Sequence, residues 1–316
     1  MHHYLIRALF SSALLVLGAC SYTPQSDQLI TSNEAKSHAY RVIDLPFFSQ
    51  PDYYCGPTTL AEVANFYAIN ATPESIAPKI FIPELRGSLQ IEMKSATRQL
   101  GLLPYTQRGD LRQLLRLIDD ELPIIVLQNL GLDWLPQWHY AVVIGYDRNR
   151  NEFILHSADI ANYRIPFSTF ERTWSRANYW MLVPLPSNQA SAALDPYQYT
   201  RAAYDLIKIG QTTLGINALI TASKTFPDQW LSFFLLGNYY IERDPEQALR
   251  WYEKGLENGR LQPEYLNNYA HLLATTGACQ LAKEVIEEAF KLAPTNRSIM
   301  QTREQVYRRN TEECIR

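Results

Sequence analysis

The chain has 316 residues, 47% of them hydrophobic and 12% aromatic, which predicts a globular protein long enough for two domains. The formal net charge is −3 and no long run of one sign occurs, so the sequence argues against nucleic acid as a partner. It contains no Gly-rich phosphate loop ending in Lys and Ser or Thr, which excludes an ATP-driven transporter half.

The N-terminus has the layout of a secretory signal. Arg7 precedes an apolar run over 8–17, which is too short to cross a bilayer because crossing needs about 20 apolar residues. The sequence Leu17-Gly18-Ala19-Cys20 resembles the lipobox of bacterial lipoproteins, in which the Cys becomes the lipidated N-terminus after cleavage. The resemblance implies a signal peptide at 1–19 and a lipid on Cys20. The alternative is an ordinary secretory signal whose cut happens to fall at this Cys.

A polar segment connects this signal to the first predicted domain. By the same resemblance, Ser21 after the lipidated Cys implies the outer rather than the inner membrane of a Gram-negative cell, with the protein facing the periplasm. Residues 20–40 lack periodicity, and we expect them to form a tether that holds the domain off the membrane.

A Cys ahead of a helix is the feature around which the first domain is organised. Pro57 suits a first helical position and apolar residues then recur at helical spacing, which places Cys55 just before the first turn. The positive end of the helix favours the thiolate, which is the form that attacks a carbonyl carbon. Gly56 allows a substrate backbone to approach the sulfur. Cys55 is therefore the candidate nucleophile, although a lone Cys before a helix is more often a core residue.

Further helices and strands follow in the same domain. A loop containing Pro73, Pro78 and Pro83 is expected after the first helix, and a continuous apolar run at 123–128 predicts a buried strand. Helical periodicity covers 89–100 and 111–120, while 139–146 and 152–158 flank a polar turn and predict a β-hairpin.

The predicted hairpin positions a candidate base. If the turn centres on Asn149, His139 at the start of one strand faces Asp159 across the hairpin, and Ser157 is its diagonal neighbour on the same face. A His that takes the proton of Cys55 needs its second ring nitrogen held by an acceptor, and a carboxylate also stabilises the imidazolium. Asp159 is the better chemical candidate for this role. His156 faces the opposite side of its strand and is expected to be structural.

These motifs resemble the papain-like cysteine peptidases, most closely the bacteriocin-processing or double-glycine family. The resemblance is carried by the Cys-Gly-Pro element at Cys55, by Gln50 shortly upstream, and by the segment from Trp138 to Tyr146 that contains His139. It implies an α+β domain over 41–186, a catalytic Cys55 and His139, and a Gln50 amide that helps to bind an oxyanion. No metal or organic cofactor is implied.

One position departs from that family. Its members carry an Asp or Asn in an element at the end of the second hairpin strand, and matching the strand ends puts Ser157 there, with Asp159 two residues late. Whether Asp159 or Ser157 supports the ring of His139 therefore stays open.

The C-terminal part has a different character. After a small, polar linker at 187–195, the residues from 196 to 316 form helical pairs that resemble tetratricopeptide repeats of about 34 residues. The small residues Ala248 and Ala282 are one such repeat apart. Repeats of this kind commonly bind a peptide or protein on their concave side, and the alternative is that so few of them only brace the first domain.

The remaining cysteines, Cys279 and Cys314, lie in this helical part. Because the signal implies export to a compartment where thiols oxidise, a disulfide between them is one expectation, and two unrelated small residues are the other.

Taken together, these features predict a lipid-anchored cysteine peptidase that hydrolyses peptide bonds through a thioester. Its partners would be a peptide or protein substrate, a protein bound by the repeats, and the membrane through its lipid. Transfer of the acyl group to an amine would use the same residues as hydrolysis. The competing hypothesis is a non-enzymatic lipoprotein scaffold in which the papain-like domain has lost turnover.

Overall fold

The computed structural model describes residues 23–31, 40–49 and 53–309. They form an antiparallel α+β domain followed by helical hairpins, so the predicted fold class, a papain-like domain with tetratricopeptide-like repeats, is confirmed. None of the helices in these ranges is long and apolar enough to cross a bilayer.

The first domain is built on one antiparallel sheet. Its strands are β1 (Tyr40–Val42), β2 (Leu103–Arg108), β3 (Ile124–Asn129), β4 (Trp138–Asp147), β5 (Glu152–Ser157), β6 (Ile160–Pro166) and β7 (Trp180–Leu185). The strand order is β2-β7-β3-β4-β5-β6, and β1 pairs with the second half of β4. One end of the sheet therefore contains the last residues of β2, β3 and β5 and the first residues of β4, β6 and β7. We call it the site end of the sheet.

The hairpin of β4 and β5 follows the predicted register close to that end. Val142 pairs with His156 and Val143 pairs with Leu155, as a turn centred on Asn149 requires. The register then shifts by one residue at Gly145, where β4 changes its neighbour from β3 to β1. The bulge accommodates this change without altering the face on which His139 lies.

Helices cover both faces of the sheet. They are α1 (Pro24–Thr31), α2 (Cys55–Phe66), α3 (Pro73–Ile80), α4 (Gln90–Gln99), α5 (Leu111–Asp119) and α6 (Phe167–Ser175). Glu62 of α2 contacts His156, whereas Phe170 of α6 contacts Phe153, three residues earlier on β5. Since side chains alternate along a strand, α2 and α6 lie on opposite faces of the sheet.

The Pro-rich stretch expected to be a loop contains the helix α3. Thr72 and Ser75 form a capping box and Pro73 occupies the first turn, where its missing N–H costs nothing. Ile76 and Ile80 are buried, so packing holds the short helix together despite Pro78 inside it.

Within the predicted tether at 20–40, the described residues 23–31 contain α1, which docks on the first domain. Leu29 is buried in the domain core, and the buried carboxylate of Glu171 accepts hydrogen bonds from the backbone N–H and the hydroxyl of Ser26 at 2.7 and 2.6 Å. Gln25 Oε1 accepts the backbone N–H of Leu111 at 2.9 Å, at the site end of the sheet. The short polar helix gives almost no periodic signal, which is why the sequence does not predict it.

The helical part consists of three hairpins and a final helix. These are α7 (Pro196–Lys208) with α8 (Thr212–Thr225), α9 (Trp230–Tyr240) with α10 (Pro245–Gly259), α11 (Pro263–Thr275) with α12 (Cys279–Leu292), and α13 (Arg297–Arg308). Small residues allow the close helix contacts: Ala248 and Ala282 are fully buried, and a Cβ on Gly237 would lie 2.5 Å from the ring of Tyr252.

The first helical hairpin is continuous with the α+β domain. Tyr199 and Leu206 of α7 belong to the same buried core as Tyr105 of β2, and the later hairpins form a second core. The segment 187–195, predicted to be a linker, is packed in between: Leu194 is buried and the backbone N–H of Asp195 donates to Tyr105 Oη at 2.8 Å.

Candidate functional site

Cys55 is the first residue of α2, so the helix begins two residues before Pro57, where the sequence predicts its start. Its thiol is free, and the backbone N–H groups of Tyr140, Gly56 and Cys55 itself point at the sulfur. These donors lower the pKa of the Cys55 thiol, but burial raises it by more, and the net shift is upward. The expected lowering of the thiol pKa by the helix terminus is therefore outweighed by desolvation.

The ring of His139 is held on one side. At the start of β4 its Nε2 lies 2.9 Å from Ser157 Oγ, which leaves Nδ1 available for another partner. Burial lowers the pKa of His139 to about 4, so the imidazole is neutral near pH 7. A neutral imidazole with a free nitrogen is a proton acceptor.

Cys55 lies beside the β4 backbone at the residue that follows His139. The sulfur receives the N–H of Tyr140, the residue directly after His139, and burial and the Cys55 charge both raise the pKa of Tyr140. The hydrogen bonds found among the described residues include none between Cys55 and His139. Contacts of this kind are often long without substrate and tighten only in the reacting complex.

Ser157 takes the place that Asp159 was predicted to fill. Strand β5 ends at Ser157, which pairs with Ile160 of β6, so Ala158 and Asp159 form a two-residue turn. Asp159 is exposed in that turn, and the hydrogen-bond partner of the His139 ring in the described part of the chain is Ser157. The assignment of Asp159 as the group that orients His139 is corrected accordingly: the chain reverses before that residue can face the ring.

The model of the Peptidase_C39 like family matches residues 42–180, the α+β segment that contains Cys55, His139 and Ser157. These residues, here called the C39-like domain, are similar to that family. The family expected from the Cys-Gly-Pro and His motifs is confirmed. Curated protein sequences gave no match.

Solved structures resemble both parts of the chain. A C39-like peptidase from Bacillus anthracis shares 18% identity at a TM-score of 0.38, covering 46% of this chain and 97% of its own. A double glycine motif protease from an AMS/PCAT transporter, in complex with the leader peptide, shares 20% identity at a TM-score of 0.37. The match covers 46% of this chain and 94% of that protease. The first TPR of Spaghetti (RPAP3), bound to an HSP90 peptide, shares 12% identity at a TM-score of 0.33. The match covers 35% of this chain and 90% of that structure.

Three predicted functional residues lie outside the described residues. They are the oxyanion-binding Gln50, the lipidated Cys20 and Cys314, and their assigned roles stay predictions. Cys279 is disulfide-bonded at the start of α12, which agrees with one half of the expected pair.

Close packing explains why position 56 is Gly, whereas the sequence suggests access of a substrate backbone to the sulfur. A Cβ at this position would lie 2.7 Å from Ser88 Oγ and 3.1 Å from the sulfur of Met93. Ser88 and Met93 of the C39-like domain therefore occupy the space that a side chain at position 56 would need, and Gly56 is buried under them.

Glu62, to which the sequence patterns assign no role, is fully buried two turns after Cys55. Its Oε1 accepts the backbone N–H of Phe48 at 3.0 Å, and its Oε2 lies 3.5 Å from Nδ1 of the buried His156. The ring of Phe47 packs edge-on against His156. Glu62 therefore fixes the segment that leads to Gln50, and its being the one charged residue of α2 was the available signal.

Among the described residues, no three His, Cys, Asp or Glu side chains converge as a metal site would require. The chemistry available at the site is that of a thiol, a neutral imidazole, a hydroxyl and backbone N–H groups. Such a set is suited to acyl transfer through a thioester.

Proposed function

We propose that this chain is a lipid-anchored cysteine peptidase of the bacterial cell envelope that hydrolyses peptide bonds. One observation carries the proposal: in a C39-like domain, the Cys55 sulfur at a helix N-terminus contacts the backbone beside His139, whose Nε2 is held by Ser157. The lipid on Cys20 and the outer-membrane location, facing the periplasm, belong to the same proposal and rest on the lipobox-like sequence.

The reaction starts from neutral partners. Burial raises the pKa of Cys55 and lowers that of His139, so the resting pair is a thiol and an imidazole rather than a thiolate and an imidazolium. His139 accepts the thiol proton as the sulfur attacks the peptide carbonyl carbon, and the backbone N–H of Cys55, with the amide of Gln50, binds the oxyanion. His139 then protonates the leaving amine, and water hydrolyses the thioester with His139 again as the base.

The experiment that tests the proposal is peptide cleavage by the purified chain. A mixture of peptides from digested envelope proteins is incubated with the parent chain, Cys55→Ala or His139→Ala, and new termini are identified by mass spectrometry. We expect cleavage by the parent alone, with both variants folded by circular dichroism. Cleavage that persists in Cys55→Ala, or a parent that cleaves nothing, contradicts the peptidase function.

The same experiment distinguishes hydrolysis from transfer. Adding a primary amine such as glycine amide produces an amide-linked product if the thioester reacts with amines, and only free carboxyl termini if water is the acceptor. We propose hydrolysis, and a product that carries the amine in preference to water would assign the chain to acyl transfer.

A second candidate function is a non-enzymatic scaffold. It is favoured by the raised thiol pKa of Cys55 and by Ser157, a hydroxyl at the position where a carboxylate would stabilise an imidazolium. The helical repeats would then act by holding a protein partner. A cavity of about 410 Å³ on α12 and α13, lined by Phe290, Met300, Arg303, Glu304 and Tyr307, is one place for such contact.

A further inference from the structure

An exposed apolar hairpin lies directly before His139. Residues 130–138, here called the apolar hairpin, comprise the connection from β3 to β4 and the first residue of β4. They expose large side chains: Leu130, Leu132, Trp134, Leu135 and Trp138. Trp134 is 78% exposed, the largest fraction among them. Patches of this kind on a monomer usually mark a contact with a partner or a membrane.

The apolar hairpin is held rigidly. Leu132 and Leu135 exchange backbone hydrogen bonds at 3.1 Å across a tight turn, and Asn129 Oδ1 accepts the N–H groups of Gly131 and Gln137. Arg176 donates to the carbonyl oxygen of Gly131 at 2.6 Å. The exposed side chains are thus presented by a fixed backbone, so little conformational entropy is lost when they are covered.

The apolar hairpin has a compensated charge and a convex shape. Asp133, at the tip beside Trp134, lies 3.5 Å from the guanidinium of Arg176. The side chains point outward from a turn rather than lining a groove, as the exposure of Trp134 and Leu135 shows. A protruding turn with Trp and Leu at its tip fits the interface of a bilayer, where Trp is favoured because one part of the ring is apolar and the N–H is polar.

The position of the chain's N-terminal part indicates the same occupant. Cys20 precedes Thr23 by three residues, which span at most about 11 Å. Residues 23–31 are docked, and Gln25 is bound at Leu111, at the same site end of the sheet from which the apolar hairpin projects. A lipid on Cys20, the part of the proposed function on which this argument rests, would bring that end of the domain to the membrane surface.

We propose that the apolar hairpin inserts into the interface of the lipid bilayer and turns the site end of the C39-like domain toward the membrane. The hairpin and the lipid then form two attachment points, and two weak attachments hold a protein far better than one. In this orientation the Cys55 site reaches the parts of peptides or proteins that lie close to the membrane surface.

The test is the binding of lipid-free protein to vesicles. The chain from Ser21 to Arg316, which retains every residue of both cores, is sedimented with vesicles of phosphatidylethanolamine and phosphatidylglycerol. The variant with both Trp134→Ser and Leu135→Ser is compared with Leu261→Ser, a matched control because Leu261 is 77% exposed in the helical part. We expect the double variant to lower the partition coefficient by about tenfold or more and the control to leave it within about twofold.

Several outcomes would overturn the proposal. They are a parent that does not bind vesicles, a double variant that binds like the parent, and an equal loss in Leu261→Ser. A double variant that changes only the sedimentation mass without vesicles would assign the hairpin to self-association, and one that loses only peptide cleavage would assign it to substrate. Thermal unfolding followed by circular dichroism verifies that each variant is folded.

The outcome is separable from that of the proposed function. Vesicle binding is repeated with Cys55→Ala, which has no nucleophile and should bind like the parent. If binding depends on the apolar hairpin while no chain cleaves peptides, the membrane surface stands and the peptidase function falls. Cleavage without hairpin-dependent binding gives the reverse conclusion.

Discussion

Replacing Ser157 by Asp should raise the pKa of His139 by about 1 to 3 units, because the new carboxylate would lie beside Nε2. The starting value is about 4, and the depression from 6.5 corresponds to roughly 3 kcal/mol disfavouring the charged ring. Proton-detected imidazole NMR against pH measures both values directly. We expect His139 to titrate near pH 4 in the parent and between about 5 and 7 in Ser157→Asp.

Asp159→Asn is the matched control, since it removes a carboxylate from the exposed turn only two residues away. It should leave the titration of His139 unchanged. A parent His139 that titrates at or above 6.5 would refute the argument from burial. A shift in Asp159→Asn as large as that in Ser157→Asp would refute the placement of Ser157 against the ring.

The low pKa of His139 also makes the free energy of unfolding depend on pH. The folded His139 binds its proton less tightly than the unfolded chain does, so between pH 6.5 and about 4 the unfolded state holds more protons. His139 therefore costs no stability above pH 6.5 and lowers the free energy of unfolding progressively as the pH falls toward 4. In Ser157→Asp this loss should be smaller, and it should vanish if the pKa of His139 in the folded variant reaches 6.5; urea unfolding at several pH values measures it.

Three further predictions concern buried contacts. Glu62→Ala should lower the free energy of unfolding by about 3 kcal/mol, because it leaves the N–H of Phe48 without its buried acceptor, and Glu62→Gln should cost less; urea unfolding measures both. Gly237→Ala should cost about 1–3 kcal/mol through overpacking, whereas Gly87→Ala, whose Cβ would meet no atom closer than 3.7 Å, should cost clearly less; equal losses in urea unfolding would contradict this. Glu171→Ala should release α1, so that hydrogen exchange rises at 24–31 and not in the sheet; unchanged protection there would show that α1 is held by other contacts.

The sequence predicts the elements around the site well where local patterns decide them. The apolar run that forms β3, the helix after Cys55 and the pairing of Val142 with His156 all follow from periodicity and turn chemistry. The spacing of small residues likewise predicts the helical hairpins, because close helix packing needs those residues at fixed intervals.

What the sequence does not predict depends on contacts between distant segments. A position for Asp159 opposite His139 requires β5 to continue beyond Ser157, where the strand ends, and periodicity does not determine where a strand ends. The raised pKa of Cys55 depends on how deeply α2 packs against β4, whereas the helix terminus is visible in the sequence. Docking of α1 depends on Glu171, about 145 residues away, which no local pattern links to it.

The core shared by β2 and the first helical hairpin means that the unit of stability is larger than the C39-like fold. A chain shortened to end after β7 would lack Tyr199 and Leu206 and would leave apolar surface of β2 in water. The ion pair of Arg98 with Asp205 and the bond from Gln211 to the carbonyl oxygen of Arg98 reinforce this junction. The outer repeats therefore extend from a fixed base, and a protein that they hold would stand at one distance and one orientation from Cys55 instead of moving on a flexible connection.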